Sequence, residues 1–226
     1  MTIPGRLNRD QMAWRAAQDI PGGACVNLGI GMPELVANHV AAGREVIFHC
    51  ENGILGMGPM AAPGEEDFDL VTAGKMPVTV LPGAAYFDSA LSFAMIRGGH
   101  IDIAVLGAFQ VSRTADLANW STGEPGVTPA VGGAMDLAVG AKRVFVLTTH
   151  TTRDGTPKIV EACTCPLTGA GIVSTVYTDL AVIDMTENGP VVREMVDGLD
   201  LDALQALSGT RLALSPDGAV LMAPEL

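Results

Sequence analysis

HCENGILGMGP, His49 to Pro59, sets a glutamate behind an apolar run and follows it with Asn52-Gly53, Gly56, Gly58 and Pro59. The residues leading into it, EVIFHC at 45–50, have the β-branched and aromatic content of a strand. Asn-Gly between two strands predicts a tight hairpin, with Glu51 as a turn residue. The following ILGMGPMAAPG lacks polar and apolar alternation and holds the breakers Gly56, Gly58, Pro59 and Pro63. The stretch therefore reads as a loop at the carboxyl end of a strand. In open α/β sheets ligands bind there, where a side chain is held rigidly yet stays reachable.

Outward from that point, strands and helices alternate. Asn8 and Gln11, at capping-box spacing, open a helix over 8–20 that Pro21-Gly22-Gly23 stops. A strand over 24–30, a helix from Pro33 to Gly43, the strand 45–50 and a strand PVTVL at 77–81, ended by Pro82-Gly83, follow. Leu91, Ala94 and Met95, at i, i+3 and i+4, mark the apolar face of a helix over 88–97. IDIAVLG from Ile101 is another strand, and Trp120 to Val131, with Pro125 and Pro129, is a long loop. Gly132-Gly133 leads into a short helix, AMDLAVGA, and RVFVLTTH at 143–150 is a strand. TDLAVIDMT and PVVREMV pair around Glu187-Asn188-Gly189, LDALQALSG is a last helix, and the tail over about 212–226 is peripheral. Nearly continuous Val, Ile, Leu and Ala in the strands predicts one α/β domain over 1–226: an open, mainly parallel sheet covered by helices.

Composition narrows the function. A chain of 226 residues, 48% hydrophobic, buries a sizeable core. The opening MTIPGRLNRDQMAWR carries charges where a leader needs an apolar run, and no stretch of about 18 apolar residues occurs, so a soluble, cytoplasmic protein is expected. Twenty-five Asp and Glu against thirteen Lys and Arg give a net charge of −12, a field that repels nucleic acid and anionic membranes. An anionic substrate must then be held by a few basic side chains, by helix N-termini or by a partner chain. Cys25, Cys50, Cys163 and Cys165 are read as buried free thiols, because Cys-Thr-Cys lacks the two-residue spacer of a zinc knuckle. His39, His49, His100 and His150 form no ligand pair, and no metal site is expected.

A carboxylate placed like Glu51 can be a base, a metal ligand or a nucleophile. The metal role lacks companions, His49 being read by strand alternation as facing the other way. Base and nucleophile remain open. The glycines after it, Gly53 first, suggest close approach of a thin ligand to the backbone, and Lys75 is a candidate anion contact. Gly29 and Gly31 in NLGIGMPE hint at a dinucleotide fingerprint, but Glu34 replaces its third glycine. Arg97 to His100 are read as an ordinary helix end.

Six stretches together resemble the glutamate-bearing β subunit of family I CoA-transferases: NLGIGMP from Asn27, ENGILGMGP from Glu51, SFAMIRGGHID from Ser92, LGAFQV from Leu106, DLANW from Asp116 and GGAMDL from Gly132. The likeness runs from about Asn8 to Gly209. APGEED at 62–67 and TGEPGVTPAVGGAMDLA from Thr122 are most similar to the branch of the family that acts on 3-oxoadipate, with the acetoacetate and 3-oxoacid branch as the alternative. The resemblance implies CoA transfer from succinyl-CoA to a 3-oxo acid by a ping-pong route through a glutamyl-CoA thioester on Glu51. It also implies oxyanion or substrate contacts at Asn27, Gly132, Gly133 and Ala134, and CoA approach near Gly53 and Lys75. On the same resemblance CoA is expected as substrate, with no permanently bound cofactor, and an α subunit is expected to complete an α2β2 heterotetramer. Two positions depart from the family pattern, Cys50 where serine is usual and Met76 where glutamine is common.

Two readings of other classes stand beside this one. A noncatalytic α/β ligand-binding or regulatory subunit would be expected to have lost Glu51, and the glutamate is present. A Rossmann dehydrogenase would need the complete glycine fingerprint.

Overall fold

Asn8 starts the first helix as its spacing predicts. Its Oδ1 accepts from the Gln11 N–H at 2.9 Å and Gln11 Oε1 accepts from the Asn8 N–H at 2.9 Å, a reciprocal cap worth about 1 kcal/mol. The structure, a computed structural model, describes residues 3, 5–123, 126 and 130–226. Pro125 and Pro129 of the expected long loop lie outside the described residues.

In chain order the elements are α1 (Arg9–Gln18), β1 (Cys25–Leu28), a 3-10 helix (Met32–His39), β2 (Ile47–Cys50), β3 (Ile54–Met60), β4 (Val78–Tyr86) and α2 (Ser89–Arg97). Then come β5 (Ile103–Leu106), β6 (Gln110–Ser112), β7 (Leu117–Ala118), α3 (Ala134–Gly140), β8 (Arg143–Leu147) and β9 (Ile159–Val160). The chain continues with β10 (Val173–Tyr177), β11 (Ala181–Thr186), β12 (Gly189–Val196), α4 (Leu201–Ala206) and β13 (Ala213–Leu221).

Among the described residues ten strands form one sheet, in the order β13-β12-β11-β10-β8-β5-β1-β2-β3-β4. Its middle, β10-β8-β5-β1-β2, is parallel throughout, which matches strands such as IAVL and VFVL that are buried along their length. Antiparallel arms flank it: β3 and β4 on one side, β11 and β12 on the other. The tail expected to be peripheral supplies β13, a mostly exposed strand that pairs with β12 in parallel at the sheet edge. A small sheet, β7-β6-β9, lies apart. Arg15 on α1 bonds Glu194 of β12 and Asp19, and Tyr177 of β10 donates to Asp19 at 2.7 Å, which pins the first helix to the sheet. No helix among the described residues is long and apolar enough to cross a membrane.

The strand 77–81 expected to end at Pro82-Gly83 runs on to Tyr86 as β4, and two further readings change. The Asn-Gly hairpin rejected for its glycines and prolines does form: β2 and β3 pair antiparallel across Glu51-Asn52-Gly53. The breakers sit at bulges instead of ending the strand. Gly56 has φ +86 where the β3–β4 register shifts, and Leu55 pairs Ala85 while Met57 pairs Val80, so Pro82 and Gly83 fall in the unpaired excess of β4. The helix over 88–97 is correct, but its buried residues are Ser92 and Ile96, while Leu91 is 52% exposed.

The hairpin also explains Gly53. Its φ is +117, and an added Cβ would lie 2.0 Å from the Phe87 carbonyl oxygen. Gly53→Ala is therefore expected to cost about 3 kcal/mol or more, from left-handed strain plus a backbone clash. Urea unfolding measures this, and a loss below about 1 kcal/mol would show that the turn relaxes freely.

Candidate functional site

Glu51 stands one residue beyond the end of β2, and the parallel register sets Asn27 of β1 beside His49 of β2. Residues two apart on a strand share a face. His49 therefore lies on the Glu51 side, and the expectation that it faces away is corrected. Asn27 Nδ2 donates to Glu51 Oε2 at 3.3 Å and lies 3.0 Å from His49 Nδ1, while His49 Nε2 lies 3.0 Å from Ser92 Oγ of α2. Asn27, His49 and Ser92 are fully buried.

Helix α3 brings the paired glycines to the same carboxylate. A Cβ built on Gly133 would lie 3.6 Å from Glu51 Oε1 and 3.0 Å from the Phe93 ring, so the glycine lets the α3 start close over the glutamate. Helices α2 and α3 are held together by the Arg97–Asp136 ion pair at 2.7 Å, and Gly140 lies against the Ile96 carbonyl. Arg97, at the helix end read as ordinary, is thus tied to α3. Among the described residues the Gly133 N–H has no backbone acceptor.

On the other flank, Glu34 accepts from the Gly31 N–H at 2.8 Å and from the Thr72 hydroxyl at 2.6 Å, tying the loop after β1 to the turn at 72–75. The Ala73 N–H donates to Cys50 Sγ at 3.2 Å. That bond gives the cysteine a function: the residue before Glu51 anchors the wall of the site beside it. All four cysteines are free, and of them Cys50 is the buried one.

A cleft of about 1290 Å³ opens from Glu51. It passes Gly29 after β1, Gly107 after β5 and Thr148 after β8, and reaches Asp179 after β10. The cleft therefore follows the carboxyl ends of the parallel strands, where an open α/β sheet binds ligands. Gly132, Gly133 and Ala134 line it, as does Lys158, whose Nζ donates to Thr148 Oγ1 at 3.0 Å. Gly53 does not: its open side is filled by Phe87, just as Ala84 and Thr79 fill the space at Gly56 and Gly58. These glycines accommodate β4 and its exit, so they leave no room for a ligand. Lys75, at φ +64, sits exposed on the tight turn beyond Ala73 and outside the cleft lining.

Burial raises the Glu51 pKa above the ordinary carboxylate range, the Asn27 bond opposes that shift, and the Glu34 charge adds to it. The reactive form is the ionised one, so any reaction in which Glu51 attacks is lost as pH falls through this raised value. The acid limb of its rate profile should lie above that of a free glutamate, at about 4.3. Asn27→Ala should move the limb further up, because it removes the bond that favours the charged form. A limb that stays put on that substitution would show that the Asn27 bond does not set the Glu51 pKa. Among the described residues no group of three or more His, Cys, Asp or Glu side chains is placed to hold a metal.

Sequence reasoning missed His49, Ser92, Glu34, Thr72 and Lys158. The signal for His49 was present, since i and i+2 share a strand face.

The family described as Coenzyme A transferase matches residues 9–206. One of the subunits of the 3-oxoadipate CoA-transferase of Pseudomonas putida is 59% identical over 94% of this chain and 99% of its own length. Its Acinetobacter baylyi namesake is 54% identical over 94% and 98%. Among solved structures, the acyl-CoA transferase apoenzyme of Escherichia coli O157:H7 superposes with a TM-score of 0.75 at 20% identity, over 97% of this chain and 44% of that one.

Proposed function

This chain belongs to the coenzyme A transferase family, and from that premise we propose that it is the glutamate-bearing subunit of an enzyme that moves CoA from succinyl-CoA to 3-oxoadipate. The observation that carries the reading is the Glu51 carboxylate at the head of the cleft, held by a buried amide and closed over by Gly133. The 59% identity to a 3-oxoadipate transferase subunit over nearly the whole chain supports the choice of acceptor.

The chemistry suits a carboxylate because donor and acceptor are carboxylates too. Glu51 attacks the succinyl-CoA thioester carbonyl, the C–S bond breaks, and CoA leaves as the thiolate from a succinyl-glutamyl anhydride. The thiolate then attacks the glutamyl carbonyl and expels succinate, leaving a glutamyl-CoA thioester. A carboxylate of 3-oxoadipate attacks that thioester and again releases the thiolate. Attack of the thiolate on the 3-oxoadipyl carbonyl yields 3-oxoadipyl-CoA and frees Glu51. No net proton transfer is needed. Each attack at the glutamyl carbonyl places negative charge on an oxygen beside the Asn27 Nδ2–H, a donor worth on the order of 3 kcal/mol, and the backbone of Gly133, which closes over the same carboxylate, is the proposed second donor.

A partner chain follows from the same reading. Relatives whose names make them one subunit of a transferase, and the 44% share of the longer Escherichia coli transferase chain that this chain spans, both support a separate α subunit in an α2β2 assembly. The α subunit would complete the CoA site of a chain whose own charge is −12. The test is to copurify the two chains, add succinyl-CoA alone and seek CoA on the Glu51 peptide by mass spectrometry. An unmodified peptide would sink the mechanism. Comparing 3-oxoadipate with acetoacetate as acceptor checks the substrate, and equal kcat/KM values would remove the preference proposed here.

A further inference from the structure

Asn27 can serve Glu51 only with its amide held one way round. The amide nitrogen only donates and the amide oxygen only accepts. As placed, one Nδ2 hydrogen meets Glu51 Oε2 and the other meets His49 Nδ1, at 3.3 and 3.0 Å. Turned over, the amide would set Oδ1 against an ionised carboxylate, lone pair against lone pair. In the present orientation Oδ1 is buried without a partner among the described residues, so Asn27 itself has little to select this pose. Something beyond Asn27 must fix it.

We propose that His49 is a positioning residue: its unprotonated Nδ1 locks the Asn27 amide with the NH2 group facing Glu51, and Ser92 locks His49 in that tautomer. The proposal rests on the reading of Glu51 as the nucleophile. Because Asn27 Nδ2 has nothing to accept with, His49 Nδ1 must accept, and the ring proton lies on Nε2. Ser92 Oγ, 3.0 Å away, receives that proton's hydrogen bond and turns its own hydrogen toward the Cys50 carbonyl at 3.5 Å. Donation then runs without conflict from Asn27 to Glu51 on one side, and from Asn27 through His49 and Ser92 to the Cys50 carbonyl on the other. Phe87 stacks on the imidazole with centroids 6.1 Å apart, which fixes the ring plane. Burial lowers the His49 pKa to about 4, so the ring stays neutral at physiological pH. A protonated Nδ1 would instead draw Oδ1 toward itself and turn the amide away from Glu51.

The test is a double-mutant cycle in the two-subunit enzyme, read as the single-turnover rate of CoA attachment to Glu51. His49→Phe keeps the ring but removes both nitrogens. It should slow attachment roughly 10- to 100-fold at unchanged KM for succinyl-CoA, the cost of a donor displaced by about an ångström. His49→Gln, with an oxygen for Asn27 and an NH2 for Ser92, should restore most of the rate. In an Asn27→Ala background His49→Phe should cost nothing further. An equal loss in both backgrounds would overturn the proposal, since His49 would then act without Asn27; a wild-type rate in His49→Phe would overturn it as well. Should the phenylalanine variant fail to fold, Ser92→Ala runs the same cycle with a smaller expected loss. Nitrogen-15 NMR of the ring reads the tautomer independently of activity, and a protonated Nδ1 would overturn the assignment. Failure of the wild type to acquire CoA at Glu51 would strike the functional reading instead, and the NMR result would still judge the tautomer.

Discussion

Glu51→Gln in the two-subunit enzyme should lose at least about 10⁴-fold in CoA-transferase kcat and carry no CoA on the substituted peptide, because an amide cannot form the anhydride. The substitution is nearly isosteric, so the cleft and the Asn27 contact have little reason to move. Glu51→Asp tests placement separately: it keeps the carboxylate but withdraws it by one methylene, which should cost about 100-fold. A Gln variant within tenfold of wild type would remove Glu51 from the mechanism. Stability should move the other way. A carboxyl group whose folded pKa is raised weakens the fold above that pKa, where it must be buried in charged form. At neutral pH the Gln variant is therefore expected to melt no lower than wild type, and the sign of the shift is what thermal unfolding should read. Loss of activity without loss of stability marks a residue kept for chemistry at a cost to folding.

Asn27→Ala is the second large effect. It removes the side-chain donor that already reaches the carboxylate at 3.3 Å. A loss of roughly 100- to 1000-fold in kcat is expected, with KM for succinyl-CoA little changed, because the bond strengthens when the thiolate attacks the anhydride and charge develops on the glutamyl oxygen. Asn27→Asp should be worse than alanine at neutral pH. It sets a second carboxylate against Glu51, so the two cannot readily both ionise and the nucleophile is partly protonated. Stopped-flow measurement of the first half-reaction separates these cases. A loss under about threefold in Asn27→Ala would mean that the oxyanion is stabilised elsewhere.

What could be read in the sequence was what local chemistry decides. The capping pair Asn8 and Gln11, the fully buried strands around Ile103 and Val144, and the place of Glu51 at a strand end are set by neighbours a few residues away. What could not be read depends on partners distant in sequence. Gly53 suggested space for a ligand, but the atom that fills the space is the Phe87 carbonyl, brought back by β4. Pro82-Gly83 suggested a strand end, but a bulge against β3 absorbs both residues. Cys50 was a bare departure from the family pattern until folding brought the Ala73 N–H to its sulfur. His49 is a different case, because strand alternation alone, i with i+2, places it on the side of Glu51.

The parallel pairing of Asn27 with His49 also fixes how many residues this segment can contain. One residue inserted between Val46 and His49 would turn the imidazole from the amide and carry Glu51 to the opposite side of the sheet. The exposed turn Ala41–Gly43, a few positions earlier, lies before the strand and can take up added length outside it. Scanning insertions through 40–52 should thus show an abrupt boundary near Val46, with activity tolerant of lengthening before it and intolerant after it.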